Sequence, residues 1–105
     1  MNKHYVSRFE EKPYLKSSSD IFRALAHPLR LRICAIIDEK NQACVQEIYD
    51  TLQIEQSVAS QHLRILRQAN LVHTRRSGKF VYYLLDYARL KRAERIAGLF
   101  AGYVS

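Results

Sequence analysis

The sequence predicts a mainly α-helical fold with a small β-hairpin, because two neighbouring stretches differ in their hydrophobic period. In the first, Ala59, Leu63 and Leu66 recur at every third or fourth position, which places them on one face of a helix. In the second, residues 72–83 are rich in β-branched and aromatic types and are interrupted only once, which predicts two short strands joined by a tight turn. A helix followed by such a hairpin is the outline of a winged helix-turn-helix. We expect five or six helices and a two-stranded wing.

The N-terminal part of the chain divides near Ser17. Ser17 is followed three residues later by Asp20, an approximate capping box that predicts the start of the first helix. Residues 1–16 mix charged and aromatic side chains without a clear period, so we interpret them as an N-terminal arm. Residues 17–105 then form a single winged helix-turn-helix domain, which we expect to carry both the binding surface and the subunit contacts.

Three further helices are predicted around the basic stretch. Proline disfavours helix in the residue before it and suits the first helical position, so His27-Pro28 separates the first helix from a second over about residues 28–39. That second helix is apolar on most sides and is predicted to be the central core helix. A supporting helix over residues 44–52 reaches the basic helix through a short turn, and a last helix follows over residues 87–103.

The charge of the chain is concentrated in one stretch. The 105 residues are 48% hydrophobic, as expected of one domain with a core, and carry a formal net charge of +7. Residues 56–85 contain no Asp or Glu, yet they carry five basic residues: Arg64, Arg67, Arg75, Arg76 and Lys79. Such an acid-free basic surface favours a polyanionic partner, above all double-stranded DNA.

Several classes of protein are disfavoured by what the sequence lacks. No apolar run approaches the roughly 18 to 20 residues that span a bilayer, and the N-terminus is polar, so we expect a cytoplasmic protein without a membrane partner. Cys34 and Cys44 are too few for a disulfide framework or a zinc ribbon. The sequence shows no nucleophile paired with a base, no phosphate-binding loop and no clustered carboxylates, so an enzyme is not expected.

The exposed side of the basic helix offers side chains suited to contacting DNA. Gln bonds adenine, Arg bonds guanine, and Ser is a common partner of phosphate. The candidates are Gln56, Ser57, Ser60, Gln61 and Arg64. His62 is left with two interpretations of equal weight: it donates to a phosphate, or it packs beneath the helix as a satisfied histidine.

Three basic residues, Arg75, Arg76 and Lys79, lie in the predicted wing. If Ser77-Gly78 is its two-residue turn, Arg76 and Lys79 are directly opposite, where like charges repel one another until a phosphate approaches them. The wing is therefore predicted to contact the DNA backbone. The alternative is a basic strand edge that only protects the hairpin from pairing with other chains.

Three segments carry a family resemblance: AHPLRLRI from residue 26, QSVASQHLRILRQANLV from residue 56, and RSGKFVYY from residue 76. Together they resemble the bacterial ArsR/SmtB family of homodimeric repressors. The resemblance implies five helices and a β-hairpin, a dimer built by the first and last helices, and an operator that is released when an inducer binds. Asn70 departs from the glycine usual in the family, but asparagine also adopts the left-handed conformation that ends a helix.

The resemblance also points to signal-sensing sites, where this sequence departs from the family pattern. Relatives that sense thiophilic metals carry a C-V-C pair at the start of the third helix, whereas this chain has Cys44-Val45-Gln46, and glutamine is a poor ligand for such metals. Zinc and nickel sensors use Asp and His near the start of the last helix. Asp86 matches the first, but Ala88 stands at the histidine position. Both metal sites look lost, so we expect no metal or other cofactor.

The two cysteines remain candidates for thiol sensing. Cys34 matches a second-helix cysteine of persulfide-responsive relatives, but the last helix has no cysteine, so an inert core thiol is favoured. Cys44 lies near a helix N-terminus, which lowers a thiol pKa, and is the better candidate for reactivity. The sequence does not identify the inducer.

The leading hypothesis is a dimeric transcriptional repressor that binds a double-stranded DNA operator. The alternative is a winged-helix module that binds an acidic protein partner. Basic residues on both the helix and the wing favour DNA.

Overall fold

In this computed structural model the backbone is described for residues 13–104 and the side chains for residues 19–98. Within these limits the chain forms five helices and three short strands. In order they are α1 (Pro13–Leu25), α2 (Pro28–Lys40), β1 (Ala43–Cys44), α3 (Val45–Leu52), α4 (Gln56–Gln68), β2 (Val72–Ser77), β3 (Phe80–Leu85) and α5 (Tyr87–Val104). The predicted mainly α-helical fold with a hairpin wing is confirmed.

Helix α1 already includes Pro13, the first residue that the structure describes, so the predicted start at Ser17 is wrong. Ser17 and Asp20 therefore lie inside the helix and not at its cap. The division into an arm and a domain stays a prediction, and residues 1–12 of that arm lie outside the described residues.

The ends of α2 and α3 follow from local hydrogen bonds. His27 caps α2, since its Nδ1 accepts a backbone N–H at 3.1 Å, and Pro28 occupies the first helical position as predicted. After α2, Asn41 adopts a φ of 68° that turns the chain. At the start of α3, Glu47 Oε1 accepts the backbone N–H of Cys44 at 3.1 Å, as in one half of a capping box.

The wing is part of a three-stranded antiparallel sheet in which β3 lies between β1 and β2. Strand β1 has two residues, of which Ala43 pairs with Tyr83. The sequence does not predict this strand because two residues are too few to show an alternating pattern. As a consequence, the base of the wing is hydrogen-bonded to the segment that precedes α3.

The turn of the wing lies one residue later than predicted. Ser77 pairs with Phe80, so the two turn residues are Gly78 and Lys79. Gly78 has a φ of 62°, a left-handed value that glycine adopts without a steric penalty and that suits a hairpin turn. Arg76 and Lys79 are not cross-strand partners, so their predicted direct opposition is wrong. The later turn moves every cross-strand partner by two residues, so that Arg76 pairs with Val81 and Arg75 with Tyr82.

The core surrounds α2. The largest fully buried side chains come from α1 to α4 and from the junction of α4 with β2: Ile21, Ile33, Ile37, Ile48, Leu63, Leu66, Leu71 and Val72. The central role predicted for α2 is confirmed, although Leu31 on its outer side is 52% exposed. Helix α1 packs against α5. Within residues 13–104, no helix has the length and apolar character that crossing a membrane requires.

Candidate nucleic-acid interface

Helices α3 and α4 form a helix-turn-helix. Gln53 ends α3 with a left-handed φ of 56° and ψ of 47°, and the N–H of Ile54 bonds the carbonyl of Tyr49 at 3.1 Å. Glu55 is the N-cap of α4, but its side chain makes no capping hydrogen bond. The first backbone N–H groups of α4 can therefore donate hydrogen bonds to an anion such as a DNA phosphate.

Helix α4 buries one face and exposes the other, as predicted. Ala59, Leu63 and Leu66 are at most 1% exposed. The predicted DNA-contacting side chains lie on the exposed face: Gln56, Ser57, Ser60, Gln61 and Arg64. The chain leaves the helix through Asn70, whose φ is 57°, and the N–H of Leu71 bonds the carbonyl of Leu66 at 3.0 Å. Asn70 thus adopts the left-handed conformation predicted for it, in a Schellman motif.

His62 packs beneath the exposed face of α4. Its Nδ1 lies 3.2 Å from Nη1 of Arg30, and its ring centroid is 4.6 Å from that of His27. Burial, together with the nearby His27 and Arg30, holds the pKa of His62 below its ordinary value of 6.5. Of the two interpretations left open by the sequence, this geometry favours packing.

The two arginines of the wing lie on opposite faces of the sheet. Arg76 shares a face with Tyr83, because alternate residues of paired strands point the same way. Tyr83 lies beside α4, so this face is turned towards the basic helix. Arg75 lies on the other face, where its Nη2 donates to Oε1 of Gln42 at 2.6 Å.

The tip of the wing exposes a lysine beside an aromatic ring. Nζ of Lys79 lies 5.6 Å from the ring centroid of Phe80, and Phe80 itself is 45% exposed. The ring of Phe80 also contacts that of Tyr82 at a centroid distance of 6.2 Å. The tip therefore offers a cation together with apolar surface.

A polar groove of about 460 Å³ separates α4 from β3. It is lined by Ser60, Arg64, Arg67, Gln68 and Tyr83. The last three were not among the candidates from sequence. Helical spacing places Arg67 and Gln68 near Ser60 and Arg64 and could have identified them, whereas Tyr83 reaches the groove only through the fold. Two guanidinium groups with two hydroxyl groups suit a phosphate of a DNA backbone.

The two cysteines lie in different surroundings. Cys34 is buried in the core, and this burial raises its pKa to about 11, so little of the thiol is in the reactive thiolate form near neutral pH. Ala43 points into the same core, so strand alternation directs the half-buried Cys44 to the opposite face. Among the side chains of residues 19–98, no three His, Cys, Asp or Glu are grouped so that they could hold a metal.

Asp86, which matches a metal ligand of the family, is engaged in structural hydrogen bonds. Its Oδ1 accepts the N–H of Arg89 at 3.0 Å and caps α5, while its Oδ2 lies 2.8 Å from Nε2 of His73. The hydrogen bonds from His73 and Arg89 hold the pKa of Asp86 below its ordinary value. Asp86 therefore joins the end of the sheet to the start of α5.

Comparison with known proteins connects this geometry to a family. A helix-turn-helix domain family matches residues 25–75. The HTH-type transcriptional repressor SmtB of Mycobacterium tuberculosis is 38% identical over 93 residues, which cover 80% of this chain and 68% of that protein. The chain belongs to the ArsR/SmtB family. As a member of this family it is a DNA-binding transcriptional regulator.

Solved structures support the ArsR/SmtB assignment. A possible transcriptional regulator for arsenical resistance is 31% identical, with a TM-score of 0.70 over 77% of this chain and 83% of that one. The transcriptional repressor PagR of Bacillus anthracis is 28% identical, also with a TM-score of 0.70, over 86% and 99% of the two chains. Nothing in these comparisons favours a protein-binding module, and transcriptional regulators are generally not enzymes.

Proposed function

We propose that this ArsR/SmtB protein is a homodimeric repressor that binds a two-fold symmetric operator and leaves it when an inducer binds. The observation that carries the proposal is the groove between α4 and β3. There the exposed face of α4 meets, at Tyr83, the sheet face that carries Arg76. A duplex fits this arrangement, because α4 can enter the major groove while the wing contacts the adjacent backbone.

The side chains divide into two proposed roles. Gln56, Gln61 and Arg64 read base edges, because Gln and Arg form bidentate pairs with adenine and guanine. A second group contacts phosphates, which positions the protein without reading the sequence: Ser57, Ser60, Arg67, Arg76 and Lys79. The side chains of both groups are exposed on α4 and the wing and are therefore accessible to a duplex.

The second subunit is proposed to pack against α1 and α5. Helix α5 carries an apolar stripe that includes Leu90, Ala93 and Ile96. Ala93 is buried within one chain, whereas Leu90 and Ile96 remain partly exposed and are available to a partner. In the sequence, the same helical spacing extends the stripe to Phe100, which lies outside the described side chains. Such a dimer would present two α4 helices to half-sites roughly 10 base pairs apart.

The proposed signal is thiol-reactive and centres on Cys44, and no metal cofactor is required. Gln46 and Ala88 occupy positions where metal-sensing relatives have ligands. Asp86 already serves as the cap of α5, which supports the same proposal. This proposed signal is tested by measuring DNA binding with zinc, with mild peroxide and without either. Zinc should have little effect, and Cys44→Ser should remove the response to peroxide; stoichiometric release by zinc would contradict the proposal.

The DNA-binding roles are tested by selecting bound duplexes from a random pool at a stated salt concentration. We expect a two-fold symmetric site and a steep loss of affinity as salt rises, because phosphate contacts release counterions. Gln61→Ala should change the selected sequence. Gln46→Ala, an exposed glutamine on α3, is the matched control and should not. Equal affinity for every duplex would overturn the proposal.

The dimer is tested by sedimentation of Ile96→Glu. A charge in the covered stripe should give monomers and weaken operator binding, because two half-sites are no longer read together. Lys91→Glu places the same carboxylate at an exposed position off the stripe and should leave the dimer intact. A dimeric Ile96→Glu protein with normal binding would refute this interface.

A further inference from the structure

Arg30 joins three helices through a single guanidinium group. Nη1 donates to Nδ1 of His62 in α4 at 3.2 Å. Nε donates to the carbonyl of Ala24, and Nη2 reaches the carbonyl of Arg23 at 3.4 Å, both near the C-terminus of α1. Arg30 belongs to α2 and is half-buried. The end of α1 and the basic helix α4 are therefore held by the same side chain.

The chemistry at the end of α1 suits this arginine. The last carbonyls of a helix have no intrahelical partner, and a cation is favoured at that end of the helix dipole. The guanidinium has donors in a planar fork, so it can reach two carbonyls and a ring nitrogen together. A lysine side chain carries the same charge but lacks the planar arrangement of several donors.

The contact between Arg30 and His62 requires one protonation state of the imidazole. Arginine has donors and no acceptor, so Nδ1 of His62 must accept and cannot carry a proton. The neutral ring then bears its hydrogen on Nε2. A second proton could only be added at Nδ1, where it would point at a guanidinium and break the hydrogen bond.

We propose that Arg30 is a positioning residue for DNA binding: acting through neutral His62, it holds α4 against the end of α1. Protonation of His62 then loosens α4 and weakens operator binding. This inference rests on the proposed function, since it concerns how the helix that reads the operator is oriented.

The charged and titratable groups around His62 support this proton sensitivity. His27 faces its ring from the start of α2, and Arg30 faces Nδ1. On α1, Asp20 lies 3.8 Å from Arg23, and both line a groove with Arg30 and with Gln68 of α4. The carboxylate of Asp20 is therefore paired with the guanidinium of Arg23 on the same helix.

The pKa of His62 sets the direction of the pH dependence. Burial is the largest cause that lowers it below 6.5, followed by the charges of His27 and Arg30. Because the folded protein binds this proton less readily than the unfolded chain, the contribution of His62 to stability is present above about pH 6.5 and is lost as the pH falls through the lower folded value.

The experiment compares operator affinity from pH 7.5 to 5.5 for the wild type, Arg30→Lys, His62→Asn and the double variant. Asparagine keeps an acceptor near the Nδ1 position and does not titrate. The wild type should lose affinity relative to His62→Asn as the pH falls, by at most about tenfold for each pH unit below the pKa of His62. Arg30→Lys should weaken binding at pH 7.5. Its affinity should also no longer show the additional loss in acid that depends on His62.

Arg32→Lys is the matched control, because Arg32 is an exposed residue of the same helix. It should bind as the wild type does at every pH. In the double variant His62→Asn should no longer change the pH dependence of binding, because Arg30→Lys has already removed the contact that protonation of His62 breaks. Thermal unfolding of each variant at pH 7.5 separates positioning from folding.

A measurement without DNA gives a second test. Nitrogen-15 NMR of the histidine rings in the free protein should show His62 as the Nε2–H tautomer, and Arg30→Lys should change its titration. The inference would be overturned by normal binding of Arg30→Lys at every pH, by an Nδ1–H tautomer, or by a pH dependence that His62→Asn still alters in the Arg30→Lys background. Failure of the wild type to select any operator at pH 7.5 would instead remove the proposed function.

Discussion

The hydrogen bond of 2.6 Å from Arg75 to Gln42 holds the first wing arginine on the sheet face opposite to that of Arg76. Two adjacent residues with the same side chain thus have different surroundings. Arg75 is tied to the segment before β1, while Arg76 lies on the face turned towards α4. Their contributions to DNA binding should differ accordingly.

Arg76→Ala should weaken binding to all duplexes and lower the salt dependence by about one phosphate contact. Arg75→Ala should have a smaller effect, because its guanidinium is engaged by Gln42. Affinity measured over a series of salt concentrations distinguishes the two variants. Gln42→Ala serves as a control that frees Arg75 and keeps its charge. Equal losses for both arginines would contradict the assignment of faces.

Gly78→Ala should destabilise the protein by about 1–2 kcal/mol, because its φ of 62° is strained for a residue with a Cβ. The site itself is open, with nothing within 4 Å of the added carbon, so crowding is not the cause. Gly98→Ala is the matched control: it is equally open but lies within α5, where alanine should stabilise by up to about 1 kcal/mol. Urea unfolding at one protein concentration measures both, and an unchanged midpoint for Gly78→Ala would refute the turn assignment.

Asp86→Ala should cost about 0.5–2 kcal/mol, because α5 loses its side-chain cap. Asp86→Asn keeps an acceptor for the cap and should cost less. The lowered pKa of Asp86 means that its charge contributes stability above about pH 3.8, and that this contribution is lost as the pH falls through the folded value. The stability difference between the wild type and Asp86→Asn should therefore shrink in acid. A difference that does not change with pH would show that the ionised form has no special role.

Cys44 should react with a thiol reagent before Cys34 when the native protein is labelled near pH 8. The pKa of about 11 at Cys34 leaves little thiolate at that pH, and its burial restricts access. Mild peroxide should not join the two cysteines, because one lies in the core and the other on the opposite face of β1. Mass spectrometry reads both outcomes, with labelling in denaturant as the control. A Cys34–Cys44 crosslink in the native protein would contradict this geometry.

Local sequence patterns predicted the helices near the binding surface well. The start of α2 at Pro28 and the left-handed Asn70 after α4 depend on residues a few positions away, so neighbouring residues are enough to predict them. The buried stripe of α4 follows from a period that any helix imposes. The predictions failed at the start of α1, at the two-residue β1 and at the wing turn. In each case a short segment was compatible with two local structures, and the local sequence pattern did not distinguish between them.

The sequence alone determined that one stretch is basic and acid-free, that it forms a helix followed by a hairpin, and that the helix exposes residues able to read DNA. These properties depend on composition and short periods. Only the tertiary structure decided which wing arginine lies towards α4, that Tyr83 completes the groove, and that Arg30 contacts His62. The partners in these contacts lie far apart in the chain, 32 residues for Arg30 and His62 and 33 for Arg75 and Gln42. No local period carries such information, because strand register and helix packing bring these residues together.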